Sequence, residues 1–180
     1  MKIGVMSDSH GSLANSLKAL DLLDDCDLII HLGDVLYHGP RNDLPDDYNP
    51  KALAEILSER EDIIYVRGNC DSDVDEMVIK RDLSKDHRII DLGKYRLYLV
   101  HGYKEDEEQR LKKAKANKVD IIATGHTHIK DLRFVDGIVL LNPGSTSIAK
   151  DVTKSVAKIY DDRIDLINLS DESLIKTLDL

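Results

Sequence analysis

Short apolar runs alternate with amphipathic stretches through the first two-thirds of the chain. Lys2–Ser7 reads as a buried strand, followed by a helix over Asn15–Leu23 with Leu13, Leu17, Leu20 and Leu23 on one stripe. Leu28–Leu32 is the next strand and Pro50–Arg60 the next helix, with Pro50 suited to a first-turn position. Ile63–Val66 and Tyr95–Val100 read as strands, Glu105–Asn117 as a polar helix, and Ile121–Thr124 as a further strand. This order predicts parallel strands joined by crossover helices. In the final third, Leu132–Val135, Ile138–Leu141, Val156–Tyr160 and Ile164–Leu169 predict antiparallel hairpins in a second or extended sheet. The architecture expected is α/β, two packed sheets with helices outside them. Between Val35 and Asn49 no period is visible, and prolines, Gly39 and clustered Asn and Asp predict a long ordered loop over the strand ends.

With 180 residues and no repeat or linker, the chain predicts one domain over residues 1–180. Apolar residues make up 42% and charged residues 33%, and no apolar run approaches the roughly 20 residues a membrane helix needs. Only Cys26 and Cys70 are present, and the first residues lack an export signal, so a reduced, cytoplasmic compartment is expected. A formal charge of −9 argues against a dedicated nucleic-acid surface. It leaves a phosphate substrate open, because bound cations can reverse the sign of a local field.

The chemistry-bearing residues collect at strand ends. Asp8 and His10 follow the first strand, Asp34 the second, Asn69 the third, His101 the strand Tyr95–Val100, and His126 and His128 the strand Ile121–Thr124. In an open parallel sheet the C-terminal strand ends lie along one rim, so seven donors from distant parts of the chain converge there. The two-residue spacing within Asp8/His10 and His126/His128 suggests extended segments that point both donors the same way. Glycines beside these residues suit sharp turns in a crowded metal cleft.

Asp8-Ser9-His10, Gly33-Asp34, Gly68-Asn69, His101-Gly102 and Gly125-His126-Thr127-His128 together resemble, in order, the motifs of the calcineurin-like metallophosphoesterases. His38–Asn42 and Gly68–Asp71 resemble small bacterial phosphodiesterases within that family. The resemblance implies a four-layer α/β/β/α sandwich of two mixed sheets, two divalent metal ions, a small phosphodiester substrate and a dimer or tetramer. By the same resemblance Asp8, His10 and His128 would bind the first metal, Asn69, His101 and His126 the second, and Asp34 would bridge them. A hydroxide held between the two ions would attack phosphorus. The donor set accepts Fe, Zn or Ni as well as Mn, and with no thiolate ligand required the resemblance favours manganese. Asn69 would offer its amide oxygen to a metal and its NH₂ to a substrate oxygen.

Cys70 is the departure from the pattern. Many family members carry a histidine there, which binds phosphate and protonates the leaving alcohol. A thiol in that catalytic position is a weak donor and a poor phosphate clamp, which predicts preference for diesters with good leaving groups over dianionic monoesters. Cys70 as a small filler is the other reading of the same position. Arg41 and His38 contact substrate phosphate, a neighbouring subunit, or only their own loop. Asn142–Ser145 reads first as a turn, Arg67 as the partner of a nearby acid, and His31 and His87 as packed histidines. Two other functions share these motifs. One is a non-catalytic metal-binding scaffold of the same fold, the other a phosphomonoesterase or nuclease of the same superfamily. All seven donors are present here, which disfavours the scaffold.

Overall fold

The computed structural model describes residues 1–180. The first part of the chain runs β1 (Ile3–Met6), α1 (Leu13–Leu22), β2 (Leu28–His31), α2 (Pro50–Glu59), β3 (Ile63–Tyr65) and α3 (Asp73–Ile79). It continues with β4 (His87–Leu92), β5 (Tyr95–Val100), α4 (Glu107–Ala116) and β6 (Ile121–Ala123). The last part holds β7 (Asp131–Val135), β8 (Ile138–Asn142), β9 (Ser155–Ile159), β10 (Arg163–Asn168) and β11 (Leu174–Asp179). Six strands form one sheet in the order β11-β10-β9-β1-β2-β3, and five form the other in the order β4-β5-β6-β8-β7. Within each sheet three neighbours are parallel, β1/β2/β3 and β5/β6/β8, and the flanking strands are antiparallel. The β7/β8 hairpin joins the second sheet and the β9/β10 hairpin the first, so the predicted hairpins are shared between the sheets.

Strand alternation builds three apolar layers. Ile3, Val5, Ile30 and Leu32 of the first sheet face Leu97, Leu99, Ile121, Val139 and Leu141 of the second in a central core. The opposite face of the first sheet, with Met6, Ile29 and Ile63, packs under Ala19, Leu20 and Leu23 and under Leu53 and Leu57 of α2. Outside the second sheet, Tyr98, Val100, Ile122 and Leu140 meet Ala114, the one fully buried residue of α4. Three cores between four layers make the α/β/β/α sandwich expected from the sequence. No helix is long and apolar enough to cross a membrane.

α1 begins at Leu13, two residues before its predicted start, because the long loop helps cap it. Asp47 of that loop accepts hydrogen bonds from Ser12 Oγ at 2.7 Å and Asn15 N at 3.1 Å. The loop is otherwise held by Asn49 N donating to Gly11 O and by a bridge between Ser12 and Tyr48. α3, β4 and β11 were not expected. α3 has only seven residues but carries a capping box, Ser72 with Asp75. β4 and β11 are edge strands, with no buried position to mark them.

Candidate metal centre

The seven predicted donors lie at one rim, where β1, β2, β3, β5 and β6 end. They do not converge by strand alternation. Asp8, His10, Asp34, His126 and His128 all have left-handed backbones, with φ of 54°, 45°, 57°, 68° and 58°. Each such non-glycine residue costs about 1–3 kcal/mol, and five at one rim mark a place where the surrounding structure overrides local preference. The turns are stitched by backbone bonds, Asp8 N to Gly33 O and His10 N to Asp34 O in the first sheet, Gly125 N to His101 O in the second. Gly68 and Gly125 are required here by close approach. A Cβ on Gly68 would lie 2.1 Å from Asp34 Oδ1, and one on Gly125 would lie 2.0 Å from Ser7 Oγ.

Asp8, His10, Asp34, His101 and His128 are buried. His128 Nε2 lies 3.2 Å from Asp8 Oδ1, and His10 Nε2 3.7 Å from the same oxygen. His101 Nε2 lies 3.3 Å from Asp34 Oδ2 and 3.2 Å from Asn69 Oδ1. Asp34, His101 and His126 form a second cluster beside that of Asp8, His10 and His128. Asp34 Oδ1 accepts from Cys70 N at 2.8 Å, which leaves Oδ2 facing both His10, at 3.8 Å, and His101.

Three of the histidines turn their other ring nitrogen onto a backbone carbonyl. His10 Nδ1 donates to Tyr37 O, His101 Nδ1 to Leu32 O and His128 Nδ1 to Ile148 O, at 2.7–2.8 Å. This orients each ring with Nε2 directed into the site, the nitrogen left to ligate a metal. With both Nδ1 atoms on carbonyls, His10 and His128 bring their Nε2 atoms together across 3.1 Å. Asp8 Oδ1 is buried with no hydrogen-bond partner, while Asp8 Oδ2 accepts from Ser7 Oγ and His126 N. Converging imidazole nitrogens and an orphaned buried carboxylate oxygen are arrangements that a cation resolves, so the residues present fit the metal ions implied by the motifs.

The field at the centre attracts positive charge. Burial opposes ionisation of Asp8 and Asp34, yet His128 beside Asp8 and His101 beside Asp34 hold both below the usual carboxylate range. Burial also opposes charging His101, but Asp34 and Asp8 draw it up to about 9. Burial pushes the Cys70 thiol up to about 12, with Asp34 adding to the effect, so Cys70 stays a neutral thiol at physiological pH. Asp71 accepts from Asp34 N, Val35 N and Gly68 N at 2.7–2.8 Å and braces two of the turns.

Above the buried donors opens a cleft of about 580 Å³, lined by Asp34, Asn69, Cys70, His126, Arg41 and Lys150 among others. Arg41 therefore stands where a substrate anion would enter. His38 does not line the cleft; its ring packs edge-on between Tyr37 and Tyr48, and its carbonyl accepts from Asn42 Nδ2. Arg67 pairs with Asp73 as expected, and His31 is packed, its Nε2 on Ser9 Oγ and its Nδ1 accepting from Gly33 N. His87, expected to be packed, is exposed at the start of β4, because edge pairing leaves that end of the strand uncovered. Asn142–Ser145 packs beneath the centre, with Asn142 Nδ2 donating to Gly125 O and Ser145 Oγ to Asp8 O. Lys150 was missed by the sequence reading. It reaches the cleft because its backbone N–H donates to His128 O, a contact between segments with no shared motif.

Residues 1–161 match the model of the calcineurin-like phosphoesterase superfamily domain. The chain belongs to this superfamily. Among its members, the phosphodiesterase YfcE of Escherichia coli K12 is 38% identical over 179 residues, covering 97% of this chain and 96% of YfcE. The solved structure of YfcE superposes with a TM-score of 0.89 at 35% identity, over 99% of this chain and 98% of the other. A phosphodiesterase of Methanocaldococcus jannaschii is 24% identical over 152 residues, 80% of this chain and 83% of its own. The zinc-complexed Vps29 of Entamoeba histolytica shares the fold, with a TM-score of 0.68 at 22% identity, over 99% of each chain. The superfamily fold thus spans the whole chain, and its divalent-metal chemistry suits the Asp and His clusters at the rim.

Proposed function

We propose that this protein is a metal-dependent phosphodiesterase acting on small phosphodiesters. The observation that carries the reading is Asp8 Oδ1, buried without a hydrogen-bond partner and faced by the Nε2 atoms of His128, His10 and His101. Asp8, His10 and His128 would hold one divalent ion, Asn69, His101 and His126 the other, with Asp34 Oδ2 between them. Bound there, two such ions supply an activated water and neutralise charge on the phosphate oxygens. Manganese suits the mixed imidazole and oxygen donors.

The chain's own groups do the rest. Nδ1–H bonds to three carbonyls keep the imidazoles oriented with Nε2 facing the site. Arg41 and Lys150 draw an anionic substrate to the mouth, and the Asn69 NH₂ group, now on Cys70 Sγ at 3.2 Å, is free to turn to a phosphate oxygen. Cys70 offers neither a positive charge nor a strong proton donor, so a monoanionic diester is handled better than a dianionic monoester. The central core drawn from both halves of the chain supports a single domain, and the unpaired Cys26 and Cys70 agree with a reduced cytoplasmic setting.

Metal-stripped protein should hydrolyse bis(4-nitrophenyl) phosphate only after divalent ions return, most strongly with manganese. No turnover with any divalent ion would leave a metal-binding scaffold instead. Cys70→His should raise monoester relative to diester turnover; an unchanged ratio would make Cys70 a filler.

A further inference from the structure

Beside the metal cleft, between α2 and α3, lies a second cavity of about 630 Å³, within the range of small-molecule sites. Its character is the opposite of the cleft's. Tyr37, Tyr48, Ala54, Val74 and Val78 give it apolar walls, and its charged residues balance, Lys51 and Lys80 against Glu55 and Asp75. Val74 and Val78 are 63% and 42% exposed, an unusual state for two valines of a short helix. α4, on the other side of the molecule, exposes no large apolar side chain.

The two cavities adjoin: Tyr37 and Cys70 line both, so the Cys70 thiol stands between the donors of the metal cleft and the valines of α3. A phosphodiester has two ester substituents on one charged phosphorus, and a metal cleft with Arg41 and Lys150 on its walls beside a neutral, apolar groove matches that division of charge. We infer that the groove receives an alkyl or aryl ester substituent of the substrate while the phosphate stays in the metal cleft. The inference rests on the phosphodiesterase reading and narrows it. The preferred diester carries an uncharged apolar group, and a substituent bearing further phosphates finds no excess of cations to meet it. Cys70 then has a reason to be small and neutral, because it forms the threshold between the two compartments.

Alkyl 4-nitrophenyl phosphates from methyl to hexyl test this with manganese-loaded protein. kcat/KM should rise roughly two- to fourfold per methylene, and this slope should collapse in Val74→Asp, at a position already open to solvent. A flat series with the methyl ester still turned over overturns the groove but not the phosphodiesterase reading. A slope retained in Val74→Asp also overturns it. So does a slope retained while Val74→Asp lowers the sedimentation mass, which would make the groove a contact between copies of the chain. A readout without turnover uses protein loaded with diamagnetic zinc and the stable ester hexyl methylphosphonate. The methyl resonances of Ala54, Val74 and Val78 should shift saturably with it and not with methyl methylphosphonate. If no ester is turned over, the phosphodiesterase reading falls, and these resonances decide the groove alone: saturable shifts support it and unmoved ones overturn it.

Discussion

The floor of the cleft and its mouth are built on different terms. On the floor, Asp8, His10, Asp34, His101 and His128 are buried, and each is tied down by backbone contacts. At the mouth, Asn69, Arg41 and Lys150 are exposed, and His126 and Cys70 are half-buried. Buried donors locked in one rotamer are preorganised for a demanding ligand, whereas exposed cations act through a screened field and adapt to what arrives. Five of the seven donors thus lie where the backbone holds them, and Asn69 and His126 carry the set up to the mouth. Selectivity resides where the chain has latitude.

Substitutions should separate the two levels. The largest effect is expected on the floor: Asp34→Ala removes the oxygen that faces both His10 and His101 and should lower kcat/KM by at least about 10³-fold, with metal content by mass spectrometry falling in parallel. Retention of full metal occupancy would show that Asp34 is not shared. Beneath the floor, burial lowers the His31 imidazole to about 4 from its ordinary 6.5. A depressed folded-state value contributes stability that is complete above pH 6.5 and is lost as pH falls through 4. Over that window wild-type metal-free protein should lose about 3 kcal/mol more unfolding free energy than His31→Asn, as read by urea titration at several pH values. Equal losses would mean that His31 already carries its proton in the folded state. Gly68→Ala, whose new Cβ meets Asp34 Oδ1, should cost about 10²-fold in kcat by displacing that carboxylate. At the mouth the effects shrink. Arg41→Ala and Lys150→Ala should each raise KM about three- to tenfold with little change in kcat, and added salt should erase the difference. A large loss of kcat in either variant would move that residue from the mouth to the chemistry.

The same division explains what could be read in the sequence. The floor was legible because each donor follows an apolar run and has a glycine next to it or close by, a pattern that survives in one dimension. Their left-handed backbones were not legible: the spacing of Asp8 with His10 suits an extended segment equally well, and only the packed turn decides between them. Lys150 was invisible because it enters through the crossover between β8 and β9, far in sequence from every motif. Among the elements, β1, β2, β5 and β6 announced themselves through apolar runs of mostly buried residues. β4 and β11 lie at sheet edges with mixed exposure, and α3 is too short for a helical period to show, although Ser72 and Asp75 carried its starting signal.

Asp8, His10 and Asp34 hang from the six-stranded sheet, and His101, His126 and His128 from the five-stranded one. Any ion gripped by members of both groups is therefore a rivet through the seam of the sandwich. Pulling it out should loosen the rim before the centre of the molecule, so that chelator-treated protein melts earlier and its turns after β1 and β6 exchange amide hydrogens first. The tools of the reaction and the fastening of the two halves would then be one and the same object.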